Sequence, residues 1–469
     1  MAEQKTTKLF GTDGIRGRAN EYPMTGELVM QVGRATAYLF RNRKEKKPVG
    51  LGSPLSNTRR AKILIGKDTR LSCYMIEMAL ASGICSLGVD VLLIGPMPTP
   101  GIAFLAQSMR CDAGIQISAS HNAFDDNGVK IFSADGYKLP DSTEAEIERL
   151  VFSKEELEKF RPTADHVGKA YRIEDALGRY IVHVKDAFDE DLDLQGVRLI
   201  LDCANGASYK AAPLVFEELG AEVVRKGVNP TGLNINDKCG SLYPENVARA
   251  VVEYRADIGI SLDGDGDRVI LSDETGEIVD GDQIMAICAL EMKRLGTLKK
   301  NTVVVTPMSN IGFDLSLKAA GIDVVRAGVG DRNVVEAMKN GGYNFGGEQS
   351  GHIILMEHAT TGDGIVAALK VLEVMRRTGK RLSELKRCVK LFPQVRADVR
   401  VSRKEPLKDL KEVNTEIAAA EKALQGKGRV FVRASGTEPI VRVLLEGEDH
   451  AQIHQLSRKI AASITRALG

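Results

Sequence analysis

The sequence is short of several features that would place it quickly. Its charge is nearly balanced, with 64 Lys and Arg against 63 Asp and Glu and a formal net charge of +1. No global field therefore draws the chain to nucleic acid or to an anionic membrane, and any anionic ligand must be held by local sites. Paired cysteines are missing too. The seven stand at 73, 85, 111, 203, 239, 288 and 388, without CxxC spacing and without a His spacing for structural zinc. An odd, dispersed set reads as reduced thiols in a cytoplasmic protein. No run approaches the ~18 apolar residues of a membrane helix, and the opening MAEQKTTKLFGTDG has no apolar stretch of the signal-peptide kind, so a soluble, cytoplasmic protein is expected. No GxGxxG follows a strand near the N-terminus, which argues against a nicotinamide dehydrogenase.

What is present is length and repetition. The 469 residues are 43% hydrophobic, enough for several cores, and at ~100 to 200 residues per domain the chain should divide. Three stretches resemble one another: Leu87 to Gly95 (LGVDVLLIG), Leu219 to Gly227 (LGAEVVRKG) and Ala320 to Gly328 (AGIDVVRAG). Each has a Gly suited to ending a helix, followed by a β-branched run that reads as a strand. Each is preceded by another strand-like run, Ile63 to Ile65, Val197 to Leu201 and Val303 to Val305. A third strand then enters an unusual loop, in CDAGIQISASHN at Cys111, ADIGISLDGDGD at Ala256 and, more loosely, GYNFGGEQSGH at Gly342. Strands alternating with helix-length segments predict three related α/β domains with mixed, largely parallel sheets. Loops at the carboxyl ends of such strands are where ligands bind, so the three loops should line one cleft.

The last eighty or so residues predict a smaller C-terminal α+β domain: a strand at RADVRVS, a helix from Leu407 to Leu424, two strands around a polar turn in GRVFVRASGTEPIVRVLLEGE, and a terminal helix from His450 to Leu468. The expected domains are 1–166, 167–276, 277–388 and 389–469. The basic, Gly/Pro/Ser-containing stretch from Arg43 to Arg60 reads as an exposed loop.

Four loops carry chemistry. SASHN places Ser120 beside His121 and Asn122 after a strand; a serine hydroxyl needs a base or metal to act as a nucleophile, and no GxSxG elbow points to a hydrolase triad. Asp263-Gly-Asp-Gly-Asp267 offers three carboxylates at alternate positions, suited to a hard cation such as magnesium. Arg268 and the broken ligand pattern beyond it exclude an EF-hand, and three acids ending a buried strand favour metal over a solvated turn. Gly347-Glu-Gln-Ser-Gly-His352 supplies a carboxylate, an amide, a hydroxyl and an imidazole for recognising sugar hydroxyls. Arg433-Ala-Ser-Gly-Thr-Glu-Pro439, with Arg442 beyond it, reads as a phosphate clamp. Together these are the parts of a phosphoryl-transfer site for a sugar phosphate.

These motifs, with FGTDGIRG at Phe10 and NGVK at Asn127, resemble the α-D-phosphohexomutase superfamily along nearly the whole chain. NINDKCGS at Asn234, TPMSNIG at Thr306 and Gln349, where other branches usually carry Met, resemble the bacterial phosphoglucosamine mutase branch. The resemblance implies four domains around a cleft, with Ser120 as phosphoserine and Ser120, Asp263, Asp265 and Asp267 as the Mg2+ site. It implies Arg16, His121, Lys130 and Arg268 around the transferring phosphate. Glu348, Ser350 and His352 would meet the sugar, and Arg433, Ser435, Gly436, Thr437 and Arg442 the other phosphate. The implied reaction interconverts glucosamine 6-phosphate and glucosamine 1-phosphate through a sugar bisphosphate that also serves as activator, supplying UDP-N-acetylglucosamine synthesis. The partner is a small-molecule sugar phosphate, not nucleic acid or membrane, and a homodimer is one open assembly state. Arg16, Lys130 and His121 stay open as the acid/base.

Three departures, Ala123 where the family commonly has Pro, Ala434 in the clamp and a long Arg43 to Arg60 loop, bear on loop rigidity and not on reaction type. The rivals are a phosphomannomutase/phosphoglucomutase, which shares the catalytic parts, and a sugar-phosphate-binding regulator, which would need neither nucleophile nor metal.

Overall fold

The structure, a computed structural model, describes residues 8–45, 60–403, 405–424, 427–434 and 439–469. Its first sheet contains β1 (Ile15–Arg18), β2 (Lys62–Lys67), β3 (Asp90–Pro96), β4 (Ala113–Ile117), β5 (Asp126–Ser133) and β6 (Ala170–Arg172), in the order β1-β5-β4-β2-β3-β6. The second contains β7 (Arg198–Asp202), β8 (Glu222–Lys226), β9 (Ile258–Leu262), β10 (Val269–Asp273) and β11 (Ile278–Val279), in the order β11-β10-β9-β7-β8. The third contains β12 (Thr302–Val305), β13 (Asp323–Arg326), β14 (Phe345–Gly347) and β15 (Ile353–Leu355), in the order β13-β12-β14-β15.

One plan recurs. Three parallel strands stand in the order third, first, second, and an antiparallel strand pairs with the third: β5 with β4, β10 with β9, β15 with β14. The repeat read from the sequence is this unit. Gly88, Gly220 and Gly321 all adopt positive φ where a helix ends ahead of the second strand, a conformation that an L side chain resists. The third strands AGIQI and IGISL are buried at every position, as strands covered on both faces should be.

A single apolar cluster runs through all three units, including Ile102 and Phe132 of the first, Phe216 and Ile260 of the second, and Phe313 and Leu369 of the third. The C-terminal unit has its own core, with Val399, Val443 and Ile460 among its members. It is an antiparallel sheet of β16 (Gln394–Arg400), β17 (Gly428–Ala434) and β18 (Ile440–Gly447), in the order β16-β18-β17, backed by helices Lys411–Leu424 and His450–Leu468.

Two short edge strands lie beyond the expected boundaries, and one expected helix differs. β6 pairs with β3, so the first sheet continues past residue 166, and β11 pairs with β10, carrying the second sheet past 276. Both are short edge strands whose place only the neighbouring strand defines. The helix expected from Leu407 is broken at Leu410, whose ψ of 89° leaves one turn at Leu407–Asp409 ahead of the helix from Lys411. Most of the Arg43 to Arg60 loop, residues 46–59, lies outside the described residues. No helix among the described residues is long and apolar enough to cross a membrane.

Candidate active site

The repeated plan decides where the chemistry falls. In each unit the turn from the third strand to its antiparallel partner carries one of the motifs: Ser120 between β4 and β5, Asp263–Asp267 between β9 and β10, and Glu348–His352 between β14 and β15. The turns meet. Ser120 Oγ donates to Asp263 Oδ2 at 2.7 Å, and Val269 N, just past the acidic loop, donates to Gly351 O at 3.1 Å. Gly364 N donates to Gly266 O at 3.0 Å, so first and third units both grip the second unit's loop.

Ser120 is buried and sits at φ 52°, in the left-handed region, so the loop around it has to be held. Ser120 N donates to Ser118 Oγ at 2.9 Å, and Ser118 Oγ donates to Asp68 Oδ2 at 2.6 Å. The fully buried Arg70 donates to Asp68 at 2.9 Å and, through its terminal nitrogens, to the carbonyls of Ser120 and Asn122, each at 2.9 Å, and of Asp126 at 3.1 Å. Asn236 reaches across from the second unit, its Nδ2 donating to the Ser120 and Asn122 carbonyls at 2.9 and 3.0 Å. Asp68, Arg70 and Asn236 were missed in the sequence. The available signal was KDTR at the carboxyl end of β2, where charged residues follow a buried strand. The NINDKCGS segment thus contributes Asn236 to the serine loop.

The acidic loop is built for close approach. A Cβ at Gly264 would lie 2.5 Å from the Ser120 carbonyl oxygen, so only glycine fits there. Donor atoms of Asp263, Asp265 and Asp267 all lie within 4.8 Å of one another. Asp265 Oδ2 accepts from Thr99 Oγ1 at 2.6 Å and Lys130 Nζ at 2.9 Å, while Asp265 Oδ1 and Asp267 Oδ1 are buried with no hydrogen-bond partner. Buried carboxylate oxygens without partners are costly, and a cation at their convergence would satisfy both. Burial, then the charges of Asp267 and Asp265, push the Asp263 carboxyl well above the usual carboxylate range. Burial acts the same way on Asp265, but Lys130 and the Thr99 hydroxyl outweigh it and hold that carboxyl down. The residues fit a hard divalent cation.

The remaining expected residues fall as follows. Lys130, on β5, is buried; desolvation disfavours its ammonium, but Asp13, Asp265 and Asp267 outweigh that and raise its pKa. His121 Nδ1 lies 3.3 Å from Ser120 Oγ, and burial with the neighbouring Arg268 and Arg16 cations lowers its pKa to about 4. Arg16 donates to Ala119 O at 3.3 Å and pairs with Asp13. Arg268 Nε stands 3.8 Å from Asp267 Oδ1, and its backbone N donates to Asp263 Oδ1 at 3.2 Å. Glu348 and Ser350 lie together, 3.3 Å apart, on the more exposed side of their loop. His352 is placed differently. It is 2% exposed, with Nδ1 3.6 Å from Asp267 and Nε2 accepting from Gly362 N at 3.0 Å, so it bridges protein groups instead of facing open space. Gln349 does likewise, donating to Asp280 at 3.3 Å and accepting from Arg396 at 2.7 Å across the third and fourth units.

In the C-terminal unit Arg433 and Arg442 are directly opposed on β17 and β18 and line a cavity of about 440 Å³ with Arg396 and Met308. Burial, then the Arg442 cation, press the Arg433 pKa down, and the nearby Asp398 carboxylate, 3.9 Å from Arg442, offsets this only in part. Ser435, Gly436 and Thr437 lie outside the described residues.

With the geometry in view, the chain can be compared with known proteins. The phosphoglucomutase/phosphomannomutase alpha/beta/alpha domains I, II and III match residues 7–158, 178–276 and 280–392, and the C-terminal domain of the same family matches 397–463. The chain belongs to this family. Within it, the chain is 58% identical over 462 residues to a phosphoglucosamine mutase of Syntrophotalea carbinolica, covering 98% of both chains, and 55% identical to one of Bdellovibrio bacteriovorus, covering 99% of this chain and all of the other. Among solved structures, a phosphoglucomutase/phosphomannomutase family protein of Burkholderia thailandensis superposes with a TM-score of 0.79 at 21% identity, over 98% of this chain and 97% of that one. The Aspergillus fumigatus N-acetylphosphoglucosamine mutase in complex with GlcNAc-6P and magnesium gives 0.64 at 18% identity, over 98% and 96%. The fold and the family make the chain an enzyme of the phosphohexomutase kind.

For such an enzyme the hold on the serine loop has a measurable consequence. Asn236→Ala removes two hydrogen bonds to that loop while leaving Arg70 in place, so a cost of about 1–3 kcal/mol in stability is expected. With Ser120 as the reacting group, as the sequence leads one to expect, misplacing it should slow turnover by about 10- to 100-fold. Thermal unfolding and steady-state kinetics on one preparation check both; a rate equal to wild type would remove the loop-holding role of Asn236.

Proposed function

We propose that the protein is a magnesium-dependent phosphoglucosamine mutase acting through Ser120. The observation that carries the phosphotransferase reading is the 2.7 Å contact between Ser120 Oγ and Asp263 inside a three-carboxylate cluster. The glucosamine preference rests on full-length relatives at 55–58% identity that bear that name.

In the proposed reaction the phosphoryl group on Ser120 passes to a free sugar hydroxyl. The P–O(Ser) bond breaks, a P–O(sugar) bond forms, the sugar hydroxyl's proton ends on the released Ser120 oxygen, and a bisphosphorylated sugar results. That sugar turns over in the cleft, and its other phosphoryl returns to Ser120, so glucosamine 6-phosphate becomes glucosamine 1-phosphate. A cation held by Asp263, Asp265 and Asp267 would offset the charge gathered on the transferring group. The chain's own cations act alongside: Lys130 neutralises the carboxylate cluster from beneath, and Arg16 and Arg268 flank the serine. Glu348 and Ser350 meet the sugar hydroxyls, while Arg433 and Arg442, with Ser435, Gly436 and Thr437, grip the phosphate that is not transferred. Relieving the Arg433–Arg442 repulsion contributes to that grip. His352 and Gln349 support the sugar loop from behind.

The deciding experiment is competition among glucosamine, glucose and mannose 6-phosphates with a catalytic amount of sugar bisphosphate. Glucosamine 6-phosphate should give the highest kcat/KM. Discrimination of about 10- to 200-fold is expected, because the sugars share a phosphate and most hydroxyls and differ at one polar position. A preference for glucose or mannose phosphate would replace the substrate and leave the transfer chemistry standing.

A further inference from the structure

Lys138 has no part in the transfer as described so far, yet it lies where three loops meet. It follows the turn after β5, is 13% exposed, and its Nζ stands 2.5 Å from Asp13 Oδ1 and 2.5 Å from Asp331 Oδ2. Each carboxylate leads back to the reaction centre. Asp13 Oδ2 is 3.2 Å from Lys130, which holds Asp265 at 2.9 Å and lies 3.7 Å from Asp267. Asp331 Oδ2 is 3.6 Å from His352 Nε2, and His352 Nδ1 is 3.6 Å from Asp267 Oδ2. The ring Lys138, Asp13, Lys130, Asp267, His352, Asp331 therefore closes on itself, alternating basic and acidic groups through the first, second and third units.

We propose that Lys138 is a positioning residue for phosphoryl transfer, fixing Asp13 and Asp331 so that Lys130 and His352 are held correctly against the Asp265 and Asp267 carboxylates. The inference rests on the reading of this site as a phosphotransferase. Without the ammonium, two half-buried carboxylates from different units face each other, and like charges at such range repel. Each would then move toward its other partner, Lys130 or His352, and carry the acidic loop with it.

Lys138 is separable from the docking of the two units. Arg332 ties the third unit to Glu144 of the first at 2.6 Å and to Asp141, Thr360 Oγ1 donates to Gly136 O at 2.6 Å, and Lys339 lies 3.8 Å from the Tyr137 ring centre. These contacts survive a change at 138, so the interface persists while the geometry inside it shifts.

The test is kinetic and structural, on the full chain. Lys138→Met should lower kcat by about 100-fold with KM changed by less than about twofold, because a misplaced group affects the transfer more than binding. Lys138→Arg, which keeps the charge, should recover most of that loss, and adding Asp331→Asn to Lys138→Met should cost little more, since both act through one contact. Hydrogen exchange, which needs no substrate, should quicken at residues 10–16 and 328–333 in Lys138→Met. Wild-type kcat in Lys138→Met, a loss that Lys138→Arg does not reverse, or unchanged exchange in both segments would each overturn the inference. If wild type turns over another hexose phosphate and not glucosamine phosphate, the substrate reading fails, and the variants are measured on that other sugar.

Discussion

Ser120→Ala should abolish mutase turnover, with a fall of at least about 10⁴-fold, because the proposed carrier of the phosphoryl between the two sugar positions is then gone. The fold should survive. The hydroxyl's loss leaves Asp263 Oδ2 without its 2.7 Å donor, a penalty of about 1–3 kcal/mol, while Arg70, Ser118 and Asn236 still grip the loop through backbone atoms. Alanine also keeps the φ of 52° no worse than serine does. Incubation with labelled sugar bisphosphate provides the direct measurement: wild type should take up label at Ser120 and the variant none. Wild-type-like rates, or undiminished labelling, would move the nucleophile elsewhere.

Asp265→Asn should be nearly as damaging for a different reason. The change removes one negative charge and one oxygen whose partner is missing, while the buried Lys130 loses the carboxylate it touches at 2.9 Å. Loss even of a group supporting a metal ligand costs 10- to 100-fold, so magnesium should bind at least about 100-fold more weakly and kcat should fall with it. Phosphorylated Ser120 would sharpen the effect, since a phosphate of nearly two negative charges would then stand beside the remaining carboxylates. Titration of magnesium into phosphorylated and unphosphorylated enzyme, alongside the activity at each concentration, tests this. Unchanged metal dependence in Asp265→Asn would place the cation outside the cluster.

Much of the design is legible in the sequence. Repeated Gly-strand segments, runs such as IGISL and TVVV, and polar loops directly after buried strands set three α/β units and the order of their chemistry, because strand burial and helix termination are local properties of the chain. The acidic triad stood out for the same reason, since carboxylates and glycines clustered at a strand end have few other uses; Ser120 gained meaning only beside the other three loops. The helix from His450 to Leu468 was legible from its apolar periodicity, whereas the short edge strands β6 and β11 were not, since their hydrogen-bond partners lie far away in sequence.

What only the tertiary structure decided is which side chains serve the site from a distance. Arg70 and Asn236 lie 50 and 116 positions from Ser120 yet bind its carbonyl. In a motif that suggested sugar recognition, His352 turns inward and Gln349 bridges to Arg396 of the fourth unit, and Lys138 joins two carboxylates separated by most of the chain. Local sequence determines which strand and loop a residue occupies. Its charge partners follow from the packing of three sheets against a shared apolar cluster, where a buried charge must find a counter-charge or hydrogen-bond donors from whichever unit is nearest.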